Sequence, residues 1–197
     1  MKIDLVVFFV EEESLKVFLE NFLSRLGIST TAYNISVFEG KNQLKKNLTP
    51  KINQWRLPNM QFFVLMDNDN KPNCKDVKLA LFKQCEEANR PDTIIRLVCQ
   101  ELEAWYLGDL PTVSNYYNQP IKLPTLKQIT QQNIKPDSVE RPSELLKQQF
   151  PTFKKGELAR HMGKHITLEG NSSISFGYFV QALKTVFPCL PAMLETP

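Results

Sequence analysis

Four short apolar runs divide the first hundred residues, at 3–10, 31–38, 61–66 and 93–99. They are rich in Val, Ile, Leu and Phe, as in Leu5-Val6-Val7-Phe8-Phe9-Val10 and Phe62-Phe63-Val64-Leu65-Met66. Continuous apolar runs of this length predict strands buried on both faces, as in a parallel sheet. Between them the apolar spacing changes to that of helices. Leu15, Phe18, Leu19, Phe22, Leu23 and Leu26 repeat along 13–26, with Gly27 where a helix-terminating glycine belongs. Leu44, Leu48 and Ile52 predict a helix over 41–55, interrupted near Pro50. Further helices are expected at 75–89 and 100–107. Alternating strands and helices imply an α/β fold, with a mainly parallel four-stranded sheet and right-handed crossovers.

The pattern changes after Gly108. Residues 109–143 are rich in Pro, Asn and Gln and predict short helices and loops. Longer helices are expected at 143–149, 154–165 and 174–187. The chain therefore divides into a core at 1–108 and a mostly helical C-terminal flank at 109–197, packed on the core as one domain.

Acidic residues follow three of the four strands. The first strand runs into Glu11-Glu12-Glu13, the third into Asp67-Asn68-Asp69-Asn70, and the fourth into Gln100-Glu101-Leu102-Glu103. Each group has an ordinary structural explanation. Acids favour the positive ends of helices, and Asp and Asn suit tight turns. Together they fall at the carboxyl ends of the strands, where open parallel sheets bind ligands. In a 2-1-3-4 strand order, Glu11 would face Asp67 and Asp69 across the topological switch point. Carboxylates crowded there repel unless a cation joins them, and a hard divalent ion with oxygen ligands suits such a set. A metal so held can activate water in phosphodiester hydrolysis.

Composition narrows the partners. Of 197 residues, 42% are hydrophobic and 23% charged, and the net charge is +3, which permits a nucleic-acid partner without arguing for one. No apolar run approaches the length of a membrane helix. The opening Met1-Lys2-Ile3-Asp4 lacks the features of a secretory leader. Cys74, Cys85, Cys99 and Cys189 contain no CxxC pair and are expected to be reduced, in a cytoplasmic protein.

A strand ending in Glu, then a helix, then a later strand ending in Asp-x-Asp resembles the Toprim domains of topoisomerases, primases and the nucleases of the overcoming-lysogenization-defect type. More closely, the chain resembles the DUF4276 family of small bacterial Toprim-like proteins. The shared features are Val10-Glu11, Gly40-Lys41, Asp67-Asn68-Asp69, and Arg96 followed by Glu101-Leu102-Glu103-Ala104-Trp105. Lys155-Gly156, Asn171-Ser172-Ser173 and Phe176 are also similar, so the resemblance spans nearly the whole chain. Glu12 departs from it, standing where the family usually has Gly, and Leu15 replaces an acid common in the first helix. The resemblance implies a nuclease using Mg²⁺ (or Mn²⁺). Glu11 would be general acid/base or ligand, Asp67 and Asp69 metal ligands, and Glu101 or Glu103 a further ligand. It also implies a phage-defence effector beside an ATPase partner, acting on DNA before RNA. The alternatives are a metal-dependent phosphatase or nucleotide-processing enzyme, and a non-catalytic partner subunit of an ATPase.

Lys41, Lys45 and Lys46 share a helix and could meet a phosphate backbone, although a solvated face explains each singly. Lys154, Lys155 and Arg160 form a second basic group. Arg96 lies inside an apolar strand and is expected to need a carboxylate, with Glu101 or Glu103 at hand. Among these cations Lys41, Lys45, Arg96 and Lys155 are the nucleic-acid-binding candidates. His161 and His165 have a zinc-compatible spacing, but Met162 follows His161 where the HExxH pattern needs Glu. Trp105 is expected in the core.

Overall fold

The computed structural model describes residues 3–69, 73–187 and Leu190. Asn70 and Cys189, singled out above, lie outside them. Strands β1 (Leu5–Val10), β2 (Tyr33–Val37), β3 (Met60–Asp67) and β4 (Ile94–Val98) form one parallel sheet in the order β2-β1-β3-β4. This is the α/β fold class expected from the alternation. The chain winds one way from β1 to β2 and the other way to β3 and β4, so the switch point lies between β1 and β3.

Period-2 alternation assigns each strand residue to a layer. Val6, Phe8 and Val10 of β1, with Phe63 and Leu65 of β3, join one core. Val7, Phe9, Phe62, Val64 and Met66 join the other. Helix α1 (Glu13–Arg25) covers the first face with Leu15, Phe18, Leu19, Phe22 and Leu23. Its end is as the sequence predicts. Gly27 takes φ 69°, and the Ile28 amide closes on the Leu23 carbonyl at 3.0 Å. Helices α2 (Lys41–Asn53) and α3 (Cys74–Glu87) cover the second face. Pro50 does not interrupt α2. It sits in the last turn, and Leu48 and Ile52 on either side of it bury in the sheet, outweighing the ~3 kcal/mol such a proline costs.

The short helix after β4 begins later than expected. Gln100 adopts φ 66°, and α4 spans only Glu103–Leu107. Glu101 is therefore outside the helix and Glu103 is its first residue. The stretch expected to hold short elements contains α5 (Leu110–Tyr117), α6 (Pro124–Thr130) and a single helical turn at Pro136–Ser138. Helices α7 (Pro142–Gln149), α8 (Lys155–His165) and α9 (Ile174–Val186) follow. The first-face core draws on both parts of the sequence. Trp105 stacks on Phe179 at 4.9 Å between centroids and meets Phe18 edge-on at 5.6 Å. Such aromatic pairs contribute ~0.5–1.5 kcal/mol each beyond area burial.

Helices α1 and α8 touch most closely at Gly163. A Cβ there would stand 2.6 Å from the Phe18 carbonyl oxygen and 2.8 Å from Asn21 Cβ. Gly163→Ala is therefore expected to lower unfolding free energy by about 1–2 kcal/mol in urea titration, overpacking exceeding the gain in helix propensity. Gly156→Ala in the same helix, with nothing within 4 Å of the new Cβ, is the control and should not destabilise.

Candidate functional site

Parallel pairing of β1 with β3 sets Val10 opposite Leu65, so the residues just beyond these positions meet over the switch point. Glu11 Oε2 there accepts the Asp67 amide at 3.0 Å, while the Glu11 carbonyl accepts the Gly40 amide at 3.0 Å. One residue thus ties the ends of β1 and β3 and the start of α2. Asp67 is the last residue of β3 and only 6% exposed. Beyond it the backbone stays coupled to β4, with the Asn68 amide on Val98 and the Asp69 amide on Gln100. Asp69 takes φ 44° and turns its carboxylate out to an ion pair with Lys41.

Glu12 is the residue before α1 and accepts the Ser14 hydroxyl. Glu103 is 1% exposed, and among the described residues neither of its carboxyl oxygens meets a hydrogen-bond donor in good geometry. Between these two acids stands Lys155, the first residue of α8, its Nζ 3.8 Å from Glu12 and 3.9 Å from Glu103. The packing of α8 against α1 brings this lysine from far along the chain to the strand ends.

The electrostatics are those of crowded, buried acids. Burial lifts the Glu11 carboxyl to about 7, with Lys41 and the Asp67 amide opposing. Burial, resisted by Lys155, brings Glu103 to about 7 as well. Asp67 is pushed well above the carboxylate range, by burial first and then by Glu12, Glu11 and Glu103. Burial pulls the Lys155 ammonium down, yet Glu103, Glu12, Glu101 and Asp67 together carry it above its ordinary value. Tyr106, one turn along α4 from Glu103, is fully buried, and its hydroxyl has no hydrogen-bond partner among the described residues. Burial, then Glu103, Glu12 and Asp67, raise it far above the phenol range.

The structure therefore gathers Glu11, Asp67, Asp69, Glu103, Lys41 and Lys155, together with Glu12, about one strand-end region. Glu101 lies at the margin of this region, near enough to act on the charges of Lys155 and Glu103, while Arg96 stands apart from it. Glu101 accepts the Ser143 amide at 2.9 Å and so caps the start of α7. The carboxylate expected for Arg96 is absent among the described residues. Its guanidinium bonds the Tyr178 carbonyl at 3.3 Å and the Ile95 carbonyl at 3.1 Å, because β4 is an edge strand and the side chain folds back over that edge. Lys41 does not lie on a solvated face. It is 13% exposed and paired with Asp69. Lys45 lies one turn further along α2. His161 and His165 stack at 4.5 Å between ring centroids, with Tyr116 against His161. Trp105 is core, and its indole N–H donates to Ser175 at 2.9 Å. Sequence reasoning missed Tyr106, whose i+3 spacing from Glu103 was the available signal.

A divalent ion fits this donor set in chemistry more than in present posture. The oxygens are hard, and Glu103 offers two with no donor. As the side chains stand, no three acidic, His or Cys groups among the described residues surround one point. Lys41 and Lys155 supply the positive charge instead.

Fold and site together define a doubly wound α/β protein with a cluster of carboxylates at its switch point. The chain belongs to the family described as "Domain of unknown function (DUF4276)", whose profile matches residues 10–184. In structure it is similar to the C-terminal region of the Burkholderia pseudomallei OLD protein, at 16% identity and a TM-score of 0.54, covering 94% of this chain and 98% of that one. The C-terminal region of the Xanthomonas campestris pv. campestris OLD protein is similar at 15% identity and a TM-score of 0.53, covering 95% and 96%. At such identities the likeness is one of fold. Comparison with curated proteins finds no match. Among the described residues no helix is long and apolar enough to cross a membrane.

The raised carboxyls set a pH dependence. Glu103 titrates near 7 when folded, against an ordinary 4.5, and Glu11 shifts in the same direction. Between those values the folded chain holds protons that the unfolded chain has lost, so stability falls as pH rises from about 4.5 to 7, and the raised Asp67 carboxyl adds to the fall in the same direction. Urea titrations in EDTA should show this decline, on the order of 1–3 kcal/mol from Glu103. Glu103→Gln should make it shallower, leaving the share of Glu11 and Asp67.

Proposed function

We propose that this protein is a divalent-metal-dependent nuclease that hydrolyses nucleic-acid phosphodiesters. The observation that carries this reading is the clustering of half-buried Glu11 with buried Asp67 and Glu103, all raised in pKa, at the switch point of a Toprim-like sheet. Structural acids are rarely left like this, since an unpaired buried carboxylate is costly. Functional acids often are.

Glu11, Asp67, Asp69 and Glu103 would hold Mg²⁺ or Mn²⁺, with Glu12 as an additional acid beside them. When bound, such an ion supplies a hydroxide-like nucleophile and stabilises charge on the phosphoryl oxygens. The chain's own residues account for the remainder. Glu11 Oε2 is tied to the Asp67 amide, which leaves Oε1 to take and return a proton, and a pKa of about 7 suits that exchange at neutral pH. Lys41 and Lys155, already drawn to the acids, are the nearest cations for an entering phosphate. The buried Phe and Trp side chains beneath the acids keep bulk water from their far side. The family resemblance supports a defence effector with an ATPase partner and DNA as substrate.

One observation favours a non-catalytic interaction module instead. Lys41 and Lys155 already neutralise part of the acidic group without a metal. Cleavage assays separate the readings. With Mg²⁺ or Mn²⁺, plasmid DNA should be cut by the wild type and at least about 100-fold more slowly by Asp67→Asn, with an unchanged circular dichroism spectrum. Cleavage that survives both Asp67→Asn and Glu11→Gln would sink the nuclease reading.

A further inference from the structure

On the side of the sheet away from β2, β4 pairs only with β3 among the described residues, which leaves its outer edge without a strand. A groove of about 620 Å³ runs along that edge, between the start of α3 and the start of α9. Unpaired edges are templates for another strand, and folded proteins usually cover or charge them. Here the cover is partial. Arg96 arches over the edge and caps the Ile95 carbonyl with its own guanidinium. The lining is largely apolar, from Ile95, Leu97, Ile174 and Tyr178, and the last two are at least half exposed.

The charges in the groove have one net sign. Lys75 and Lys78 of α3 and Arg96 of β4 line it, and among the described residues none of the three forms an ion pair. The one acid in the lining, Asp137, is committed elsewhere. Its carboxylate accepts the Ile174 amide at 2.6 Å, the Ser175 amide at 3.1 Å and the hydroxyls of Ser173 and Ser175, capping α9. Its hydrogen-bonding capacity is taken up by the helix end, and three cations against one acid leave the lining net positive.

We propose that this groove binds an extended segment of a partner protein, bearing both acidic and apolar side chains, which adds to the sheet as a fifth strand beside β4. Main-chain bonds along β4 would give affinity, and the flanking side chains would give selectivity. The cations on both faces select acidic residues, and Ile95, Leu97, Ile174 and Tyr178 select apolar ones. A second copy of this chain is a poor occupant. Antiparallel β4–β4 pairing centred on Arg96 would set the two arginines against each other. The mainly apolar lining favours a peptide over a phosphate backbone. The groove is distinct from the carboxylate pocket, so it does not depend on the nuclease reading.

The probe is a short fluorescein-labelled peptide of alternating Glu and Val, with an alternating Lys and Val peptide as control. The acidic peptide should bind by fluorescence anisotropy and slow amide hydrogen exchange along β4. Binding should weaken roughly tenfold or more in Lys75→Glu/Lys78→Glu and in Arg96→Glu, and should fall with added salt. Lys75 and Lys78 are exposed, so the double variant should fold normally. Millimolar peptide that leaves β4 exchange unchanged, or binding indifferent to the charge reversals, overturns the proposal. So does slowing produced by an oligo-dT strand and not by the peptide. A dimer whose β4 amides are protected before peptide is added would assign the edge to a second copy instead.

Discussion

The contact on which the site depends is the hydrogen bond from the Asp67 amide to Glu11 Oε2 across the gap between β1 and β3. Parallel strands need no such bond to pair, and the ladder already joins them residue by residue. What the bond adds is a fixed place for two carboxyls at a sheet edge that is otherwise apolar beneath. Phe8, Phe63 and Val10 lie below it, fully buried, so the acids face a low-dielectric floor. The same floor that stabilises the fold disfavours ionised Glu11, Asp67 and Glu103. Stability and site chemistry are thus opposed at one spot, and the opposition is relieved by cations.

In this structure those cations are lysines. Lys41 comes from α2, next to the strand that leads into Glu11, and Lys155 comes from the C-terminal helices. Lys155 reaches Glu12 and Glu103 because α8 lies against α1 with only a glycine hydrogen between them at Gly163. The C-terminal helices therefore do more than cover one face of the sheet. They deliver a positive charge to the acidic cluster, and an ion joining the cluster would compete with it.

Much of this was legible in the sequence, for physical reasons that differ by element. The strands were readable because a parallel sheet buries both faces, leaving continuous runs such as Leu5–Val10. Helix α1 was readable to its terminating Gly27. The sheet order, and with it the facing of Glu11 and Asp67, followed from general topology. What was not legible depended on contacts distant in sequence or on local backbone geometry. Gln100 at positive φ delays α4, so that Glu101 stands before the helix and caps α7 at the margin of the site, while Glu103 lies within it. Arg96 looked like a buried charge in need of an acid because a sequence does not show a side chain folding back over the sheet edge onto backbone carbonyls. The meeting of Lys155 with Glu103 spans 52 positions and leaves no local signal. Tyr106 was readable in principle, since helical spacing alone places it on the face of Glu103.

The most direct measurement is calorimetric titration of the wild type and Asp67→Ala with Mn²⁺, which needs neither substrate nor partner. The metal-site reading predicts saturable binding that releases protons near pH 6, as carboxyls titrating near 7 ionise, and that vanishes in the variant. Absence of binding in the wild type, or equal binding in Asp67→Ala, would contradict it and leave the lysines as the permanent counter-ions of these acids.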